Sequence, residues 1–598
     1  MKLYLETHRL FHFQNALSLL LNSLKFPSQN LKFRSISSRT INFNQISKRR
    51  LKYFCYYNYS FAKTDLGTAT MCTSSVCDNV KDQIDLTAKE KQIFDRLLEV
   101  LRHFNLQTQL RVAGGWVRDK LGTNAEVRDG RLYLCLEICS LFSGKEFCEK
   151  VNEYLLSTGE ETHGIGVIQS NPDQSKHLET ARMRLFDVWI DFVNLRSEDY
   201  SENSRIPTMK FGTAEEDAYR RDLTINSLFY NINTSSVEDL TGRGIMDLKL
   251  GKIVTPLPPK QTFLDDPLRV LRAIRFGARF GFMLDEELKI AAADDEVKAA
   301  IADKISRERI GHEIDLMISG NHPVKAMTYI SELQLFWAVF SLPPEPEPST
   351  SEGCERLCVA CMDSTWRLLQ LLELSSFTDD QRRLCLYAAF FLPFRKTIYT
   401  DKKGKKIPVV SYIFRNSLKL KASDAETVLS LHFAAEKFVS LIPLILSNED
   451  IQILEVDWKR EIIDVPDASK LRILAGLLLR EIKDFWRAAL VLSMLLHPSI
   501  IGCTTNSSKE ESELDKKGEL FKGIEKAILE LGLEKVWEMK PLVNGKDIMN
   551  VLEIKSGGPV VKEWQQKLLE WQLAHPSGST DECVDWLRQT HSKRARAE

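Results

Sequence analysis

The chain has 598 residues, 43% hydrophobic and 27% charged. That is the composition of a globular protein long enough for several domains, and it excludes a low-complexity or fibrous chain. The apolar stretches Leu471–Leu479 and Ala488–Leu496 are short and flanked by charge, so no membrane span and no membrane partner is expected. Net charge is −1, but residues 1–70 alone carry 11 Lys/Arg against two Asp/Glu. That segment stands at +9 and leaves the remainder near −10, so any polyanionic partner of the body must be met by a local basic surface.

Residues 1–70 have no acid between Glu6 and Asp65, and Arg9, Lys25, Lys32, Arg34, Arg39, Lys48, Arg49 and Arg50 alternate with Ser, Phe and Leu. This is the composition of an organelle transit peptide, for mitochondrion or plastid, or of a basic arm. Met71 then opens a shorter form without the arm, suited to cytosol and nucleus. The terminal Lys593-Arg594-Ala595-Arg596 is a weak nuclear signal or a plain solvated end. Twelve Cys without a paired framework fit a reducing compartment, and Cys354, Cys358 and Cys361, on one helical face with no fourth ligand, read as core residues.

Thr87 and Glu90 form a capping box that opens a helix through about His103. Leu110–Ala113 reads as a strand, Gly114-Gly115 as a tight turn, and Trp116 onward as helix. Ile165–Gln169, Leu178–Arg184 and Leu185–Val193 read as further strands. From Phe263 the pattern is helix after helix, broken by the Pro-rich run 343–348 and a polar stretch Asn506–Lys517. The expected class is α+β, with a small sheet and helices first and an all-α remainder. Expected divisions are the arm 1–70, a head 85–255, a helical neck 256–342, a helical body 353–500 and a helical tail 519–598.

Three segments carry chemistry. In Gly114-Gly115-Trp116-Val117-Arg118-Asp119, two glycines before a helix let backbone N–H groups approach a phosphate, and Arg118 can add a bidentate contact. In Tyr219–Leu228, Arg221, Asp222 and Asn226 form a face fit for a sugar and triphosphate, or a surface ion-pair helix. In Asp265-Asp266-Pro267-Leu268-Arg269, Pro267 suits the first helical position with Asp266 as cap. At about 100° per residue, Arg269, Arg272, Arg275 and Arg279 then share an arc of about 120°, a row suited to phosphates or bases.

In this order, with Ile305-Ser306-Arg307-Glu308-Arg309-Ile310 after them, these segments resemble the class II tRNA nucleotidyltransferase and bacterial-type poly(A) polymerase family. Phe211-Gly212-Thr213 and Asp239-Leu240-Thr241-Gly242 resemble its eukaryotic, plant-like CCA-adding branch. The resemblance implies that the 3′-hydroxyl of tRNA attacks the α-phosphate of CTP or ATP, with two Mg²⁺ ions assisting, and pyrophosphate leaves. It implies that Gly114, Gly115 and Arg118 hold the triphosphate. Arg220, Arg221, Asp222 and Asn226 would select the ribonucleotide. Asp266 and Arg269, followed by Arg272 and Arg275, would act as a protein template for the base. Addition of A alone, as by a poly(A)-adding relative, is the alternative.

The sequence departs from that family at one place. An Asp-x-Asp pair should follow on a strand, because i, i+2 spacing puts both metal-binding carboxylates on one face. Residues 122–143 contain no such pair: Asp129 is followed at i+2 by Arg131, and Glu137 by Cys139, a poor Mg²⁺ ligand. Asp191 resembles the family's third carboxylate. Either the sequence carries an exon or frame error at residues 122–143, or this copy is impaired and binds tRNA without catalysis. Finally, Lys402, Lys403, Lys405 and Lys406, in a stretch without an acid between Asp401 and Asp424, are expected on a loop leading into a helix, where they would meet the phosphates of tRNA.

Overall fold

The computed structural model describes residues 80–122, 133–139, 143–168, 180–199, 208–343, 348, 350–446, 467–497 and 507–597. The arm 1–70, Met71, Asp129 and most of the Pro-rich run lie outside the described residues. The expected α+β class is what the chain adopts, a sheet with helices followed by helix after helix.

The sheet begins with β1 (Gln109–Ala113) and β2 (Tyr133–Cys139), then β3 (Ile165–Ile168), β4 (Thr180–Leu185) and β5 (Val188–Asn194). A separate antiparallel pair follows, β6 (Arg196–Asp199) with β7 (Thr208–Phe211), and the sheet is completed by β8 (Phe229–Asn231) and β9 (Ser236–Glu238). The seven-stranded order is β3-β4-β5-β2-β1-β8-β9. Within this sheet, β2 and β5 pair in parallel, with Cys135 beside Asp191 and Glu137 beside Val193. Strand alternation sends Ala181, Met183, Ile190 and Phe192 inward. There they meet Phe147, Val151 and Leu155 of the helix Gly144–Ser157, with the Phe147 and Phe192 rings 5.6 Å apart. On the opposite face, β4 and β5 leave Arg182, Arg184, Trp189 and Asp191 partly or fully exposed.

The Thr87–Glu90 capping box forms as expected, and Glu90 does more than cap. Its buried carboxylate also accepts from Trp116 Nε1 at 3.0 Å and Lys120 Nζ at 2.7 Å, which ties the first helix to the helix after the Gly-Gly turn. The β4–β5 turn departs from the expected split between Arg184 and Leu185. It is made by Phe186 and Asp187, at φ 47° and 68°, positions a sequence normally signals with Gly or Asn.

Two short β pairs interrupt the helical region: Lys252–Ile253 with Met283–Leu284, and Ile398–Thr400 with Lys406–Pro408. Residues 507–517 of the expected polar break belong to the helix Ser507–Glu530, where Glu and Lys are good helix formers and Lys517 pairs with Glu513 at 3.0 Å. One apolar stretch escaped the sequence reading. The helix Ala422–Leu446 contains a segment, Ala422–Ile445, long and apolar enough to cross a membrane by length and composition. Here it packs as a core helix, burying Val428, Leu431, Ala435, Phe438 and Ile442. The helix Arg307–Ile318 crosses the backbone at Leu418 so closely that a Cβ on Gly311 would lie 1.7 Å from the Leu418 carbonyl oxygen. Only glycine permits that approach. Val543, Ile548, Trp564, Leu568 and Leu587 form a separate small core in the tail.

Candidate active site

The Gly-Gly turn sits at the end of β1. Gly114 has φ +74° and precedes the helix Gly115–Leu121; its N–H donates to the Leu228 carbonyl at 3.1 Å, fixing the turn to the second motif. Behind it, Trp116, Phe94 and Tyr230 pack edge-to-face and stacked.

Arg118 does not project as the sequence suggested. It is only 5% exposed; its guanidinium donates to Asn226 Oδ1 and, at 2.8 Å, to Asp119 Oδ1, and lies 4.6 Å from the centre of the Phe280 ring. Burial lowers its pKa from the usual arginine value. Arg118 thus joins the Gly-Gly segment to the second and third motifs instead of reaching outward.

The second motif is neither a helix nor a solvated surface. The helix Ala214–Tyr219 ends at Arg220, and Thr224–Asn226 makes a single 3₁₀ turn. Asp217, 0% exposed, accepts from Arg220 Nε at 2.6 Å and from Arg221 at 2.7 and 3.0 Å. Burial pushes its carboxyl up, but the Arg221 and Arg220 guanidiniums overcome this and hold it below the usual carboxylate range. Arg221 also donates to the Asn226 carbonyl at 3.2 Å. Asp222 accepts from Asn226 Nδ2 at 3.1 Å and Arg272 Nε at 2.7 Å; burial again opposes and Arg272 prevails, so its pKa is lowered.

The arginine row lies on the helix Leu268–Phe280, and three of its members face inward to carboxylates. Arg269 donates to the Arg220 carbonyl at 2.8 Å and lies 3.7 Å from Glu198 of β6. Arg272 pairs with Asp222, and Arg275 with Glu313 at 2.6 Å. The row therefore first fastens this helix to the sheet region and to the helix Arg307–Ile318. Arg279 is exposed, its guanidinium 5.1 Å from the Phe280 ring centre. Pro267 occupies the N-cap, one residue from the expected first helical position. Asp266 accepts from the Leu268 N–H at 3.2 Å and from Arg309 at 3.2 Å. Arg272 and Arg309 each keep 36% of their side-chain surface open.

Sequence reasoning missed Asp217, Glu198 and Glu313, and it placed Arg309 in a motif without its partner Asp266. For Asp217 a signal existed: an Asp three and four residues before two arginines is a helical ion-pair spacing. Glu198 and Glu313 had none, because their partners come from distant segments.

The donors present do not fit the expected Mg²⁺ pair. Asp191 is held in a two-point ion pair by Arg182, at 2.5 and 2.8 Å, on the neighbouring strand. Its register partner on β2 is Cys135, and Glu137 pairs in register with Val193. Thiol sulfur is a soft ligand, and Mg²⁺ takes oxygen. Among the described residues, no three His, Cys, Asp or Glu side chains gather as a metal-holding group.

The expected lysine loop is the tip of a hairpin whose second strand, Lys406–Pro408, leads directly into the short helix Val409–Tyr412. Asp401 Oδ1 accepts from the Lys403 and Lys405 N–H groups at 2.9 and 2.8 Å, shaping the tip and leaving Lys402, Lys403, Lys405 and Lys406 exposed.

Sheet, Gly-Gly turn and clasped arginines together define a nucleotidyltransferase head, and residues 110–254 match the poly A polymerase head domain. The chain is 33% identical to tRNA nucleotidyltransferase cca2 of Schizosaccharomyces pombe, over 80% of this chain and 92% of the relative. It is likewise 33% identical to the mitochondrial CCA tRNA nucleotidyltransferases of Candida glabrata, over 85% and 96%, and Saccharomyces cerevisiae, over 87% and 93%. The protein belongs to the CCA tRNA nucleotidyltransferase family. Its fold is shared with the Thermotoga maritima CCA-adding enzyme complexed with tRNA (TM-score 0.51, 17% identity, 84% and 96% covered). It is also shared with the Bacillus stearothermophilus CCA-adding enzyme in complex with CTP (TM-score 0.53, 15% identity, 86% and 100% covered).

Proposed function

We propose that this protein serves C-C-A addition to tRNA 3′ ends from CTP and ATP, with release of pyrophosphate, in tRNA maturation and repair. The observation that carries this is the clasp of Asp222, Arg272, Asn226 and Arg118, which draws three separate motifs into one polar surface in a chain related to CCA-adding enzymes over most of its length. In this reading the Gly114-Gly115 turn takes the triphosphate: the Gly114 N–H donates to the Leu228 carbonyl and holds the turn in place, the Gly115 N–H at the helix start meets the phosphate, and Arg118 positions the turn. Arg220, Arg221, Asp222 and Asn226 face the ribose, with Arg221 held by Asp217. Asp266 accepts from the exocyclic amine that cytosine and adenine share, while Arg269 donates to ring acceptors. Arg272 offers its open edge to the phosphates, and Arg275 braces the helix through Glu313. Residues 1–70 direct the protein to the mitochondrion, as in the relatives named for that compartment, with plastid delivery as the alternative.

A second reading is favoured by the Asp191–Arg182 pair and by Cys135 in the neighbouring strand position: this sequence holds its substrates and transfers poorly. Equilibrium binding tests the selection apparatus apart from transfer. CTP and ATP should bind in preference to GTP and UTP, and Arg269→Ala should cost about 1–3 kcal/mol of that preference. Equal weakening for all four nucleotides would make Arg269 a phosphate or structural residue only. Selection of ATP alone would favour the A-adding alternative.

The exposed hairpin at Lys402–Lys406 supplies positive surface in a chain whose residues 71–598 together are net negative, and lysines suit sequence-independent binding of a phosphate backbone. Changing Lys402, Lys403, Lys405 and Lys406 together to Ala should weaken tRNA binding. It should also flatten the dependence of log affinity on log salt, by a slope of about 0.7–0.9 for each phosphate left without its lysine. Nucleotide preference should be untouched. A salt slope unchanged in the quadruple variant would leave the hairpin as a solvated surface.

A further inference from the structure

We propose that Trp189 is a stacking platform for the unpaired 3′ end of the tRNA acceptor, with Arg184 beside it to meet the adjoining phosphate. This rests on tRNA being the substrate, as read above.

On β5, Val188, Ile190 and Phe192 enter the core while Trp189 points to the opposite face, 45% exposed. The antiparallel register sets Arg184 of β4 directly across from it, with the guanidinium 6.0 Å from the indole centre. Arg182 and Asp191 follow as the next pair on the same face, and Gly166 lies across from Arg182 on β3, so the floor beside them carries no side chain. Arg184 pairs with Asp187 at 3.3 Å, but both side chains are more than half exposed. Such a pair is weak in water and yields readily to a phosphate. The platform is held firmly: the two-residue turn leaves no slack, and Arg96 lies 5.3 Å over the Phe186 ring.

The strand order fixes which substrate meets this patch. The Gly-Gly turn ends β1; β2 lies next, then β5, then β4. Adjacent strands are about 4.8 Å apart, so Trp189 stands about 10 Å across the face from the turn. In an in-line displacement the entering and leaving oxygens lie on opposite sides of the phosphorus. With pyrophosphate leaving toward the Gly-Gly turn, the attacking 3′-hydroxyl arrives over β5 and β4. The last unpaired nucleotides of the acceptor then cross Trp189 and Arg184. An aromatic face with an adjacent arginine is how proteins hold single-stranded RNA without reading its sequence, which suits an acceptor end that varies among tRNAs.

The test uses the full chain and equilibrium binding of two RNAs: a tRNA lacking C-C-A, and the same tRNA trimmed of its last unpaired nucleotide. Trp189→Ala should weaken binding of the first about tenfold, within the ~5- to 150-fold span typical of removing a stacked ring, and leave the trimmed RNA unaffected. Trp189→Phe should retain most of the affinity. Equal affinities of wild type and Trp189→Ala for the untrimmed tRNA would overturn the platform. Failure of the wild type to bind either RNA would overturn the substrate reading beneath it.

Discussion

Cys135→Asp combined with Glu137→Asp is expected to raise C and A incorporation by at least about a thousandfold over the chain as it stands, which should transfer only at a trace rate. A thousandfold is about 4 kcal/mol of barrier, in line with the several kcal/mol that metal-based charge stabilisation contributes to such transfers. The positions follow from register. β2 is the strand after the Gly-Gly motif, its Cys135 is the register partner of Asp191, and Cys135 and Glu137 carry the i, i+2 spacing that the Asp-x-Asp pair requires. Aspartates there would give three hard oxygen donors on two adjacent strands and a counter-charge to Arg182, which now neutralises Asp191 alone. Leu134→Asp with Leu136→Asp, one residue out of phase, should restore nothing. Tritiated CTP incorporation into tRNA lacking C-C-A, with tRNA affinity measured alongside, decides the matter. Full addition by the unaltered chain would show that Cys135 and Glu137 suffice. A double variant that binds tRNA normally and stays inactive would place the metal site elsewhere.

How far the sequence carried varied with the kind of interaction. Local signals were legible: the capping box at Thr87, the Gly-Gly turn, and the helix after Pro267 rest on near-neighbour chemistry, and the structure has each within a residue. The arginine row was legible as a face but not as a set of partners. Periodicity places Arg269, Arg272 and Arg275 together, yet Glu198, Asp222 and Glu313, which face them, come from 71, 50 and 38 residues away. Arg118 was misjudged for the same reason, since Asn226, Phe276 and Phe280 close over it only after folding. The hairpin at Phe186-Asp187 was hidden because its residues do not advertise positive φ. The strand β2 was hidden because its run of alternating apolar residues was read only for the carboxylates it lacks.

Asp217→Ala should be among the most destabilising single changes in the head, costing about 3–5 kcal/mol. The carboxylate is fully buried and receives both Arg220 and Arg221, while the backbone N–H of Arg196 donates to it at 3.3 Å. Removing it leaves two guanidiniums in a poorly solvated site. Arg220 keeps Glu198 at 3.0 Å, so Arg221 bears most of the loss, retaining the Asn226 carbonyl and the Phe229 ring 5.1 Å away. Asp217→Ala combined with Arg221→Leu should therefore cost less than the two changes summed, because the stranded charge has gone with its partner. Asp85→Asn, which breaks an exposed pair with Lys81, should leave the transition where it was. The pH dependence has a definite sign. Because the folded carboxyl titrates below its unfolded value, near 3.9, Asp217 contributes stability above that pH and loses it as pH falls through the lowered folded value. Wild type and Asp217→Ala should thus converge in stability only in acid. The functional consequence follows from position: Arg221 Nη1 lies 3.2 Å from where a Cβ of Gly114 would stand, so releasing Arg221 loosens the wall of the phosphate turn itself. Affinity for CTP and ATP should fall together, with the preference between them unchanged. Thermal unfolding of the full chain, with nucleotide binding measured well below the transition, separates the two effects. An Asp217→Ala variant as stable as wild type at neutral pH would show that Glu198 alone can neutralise both arginines.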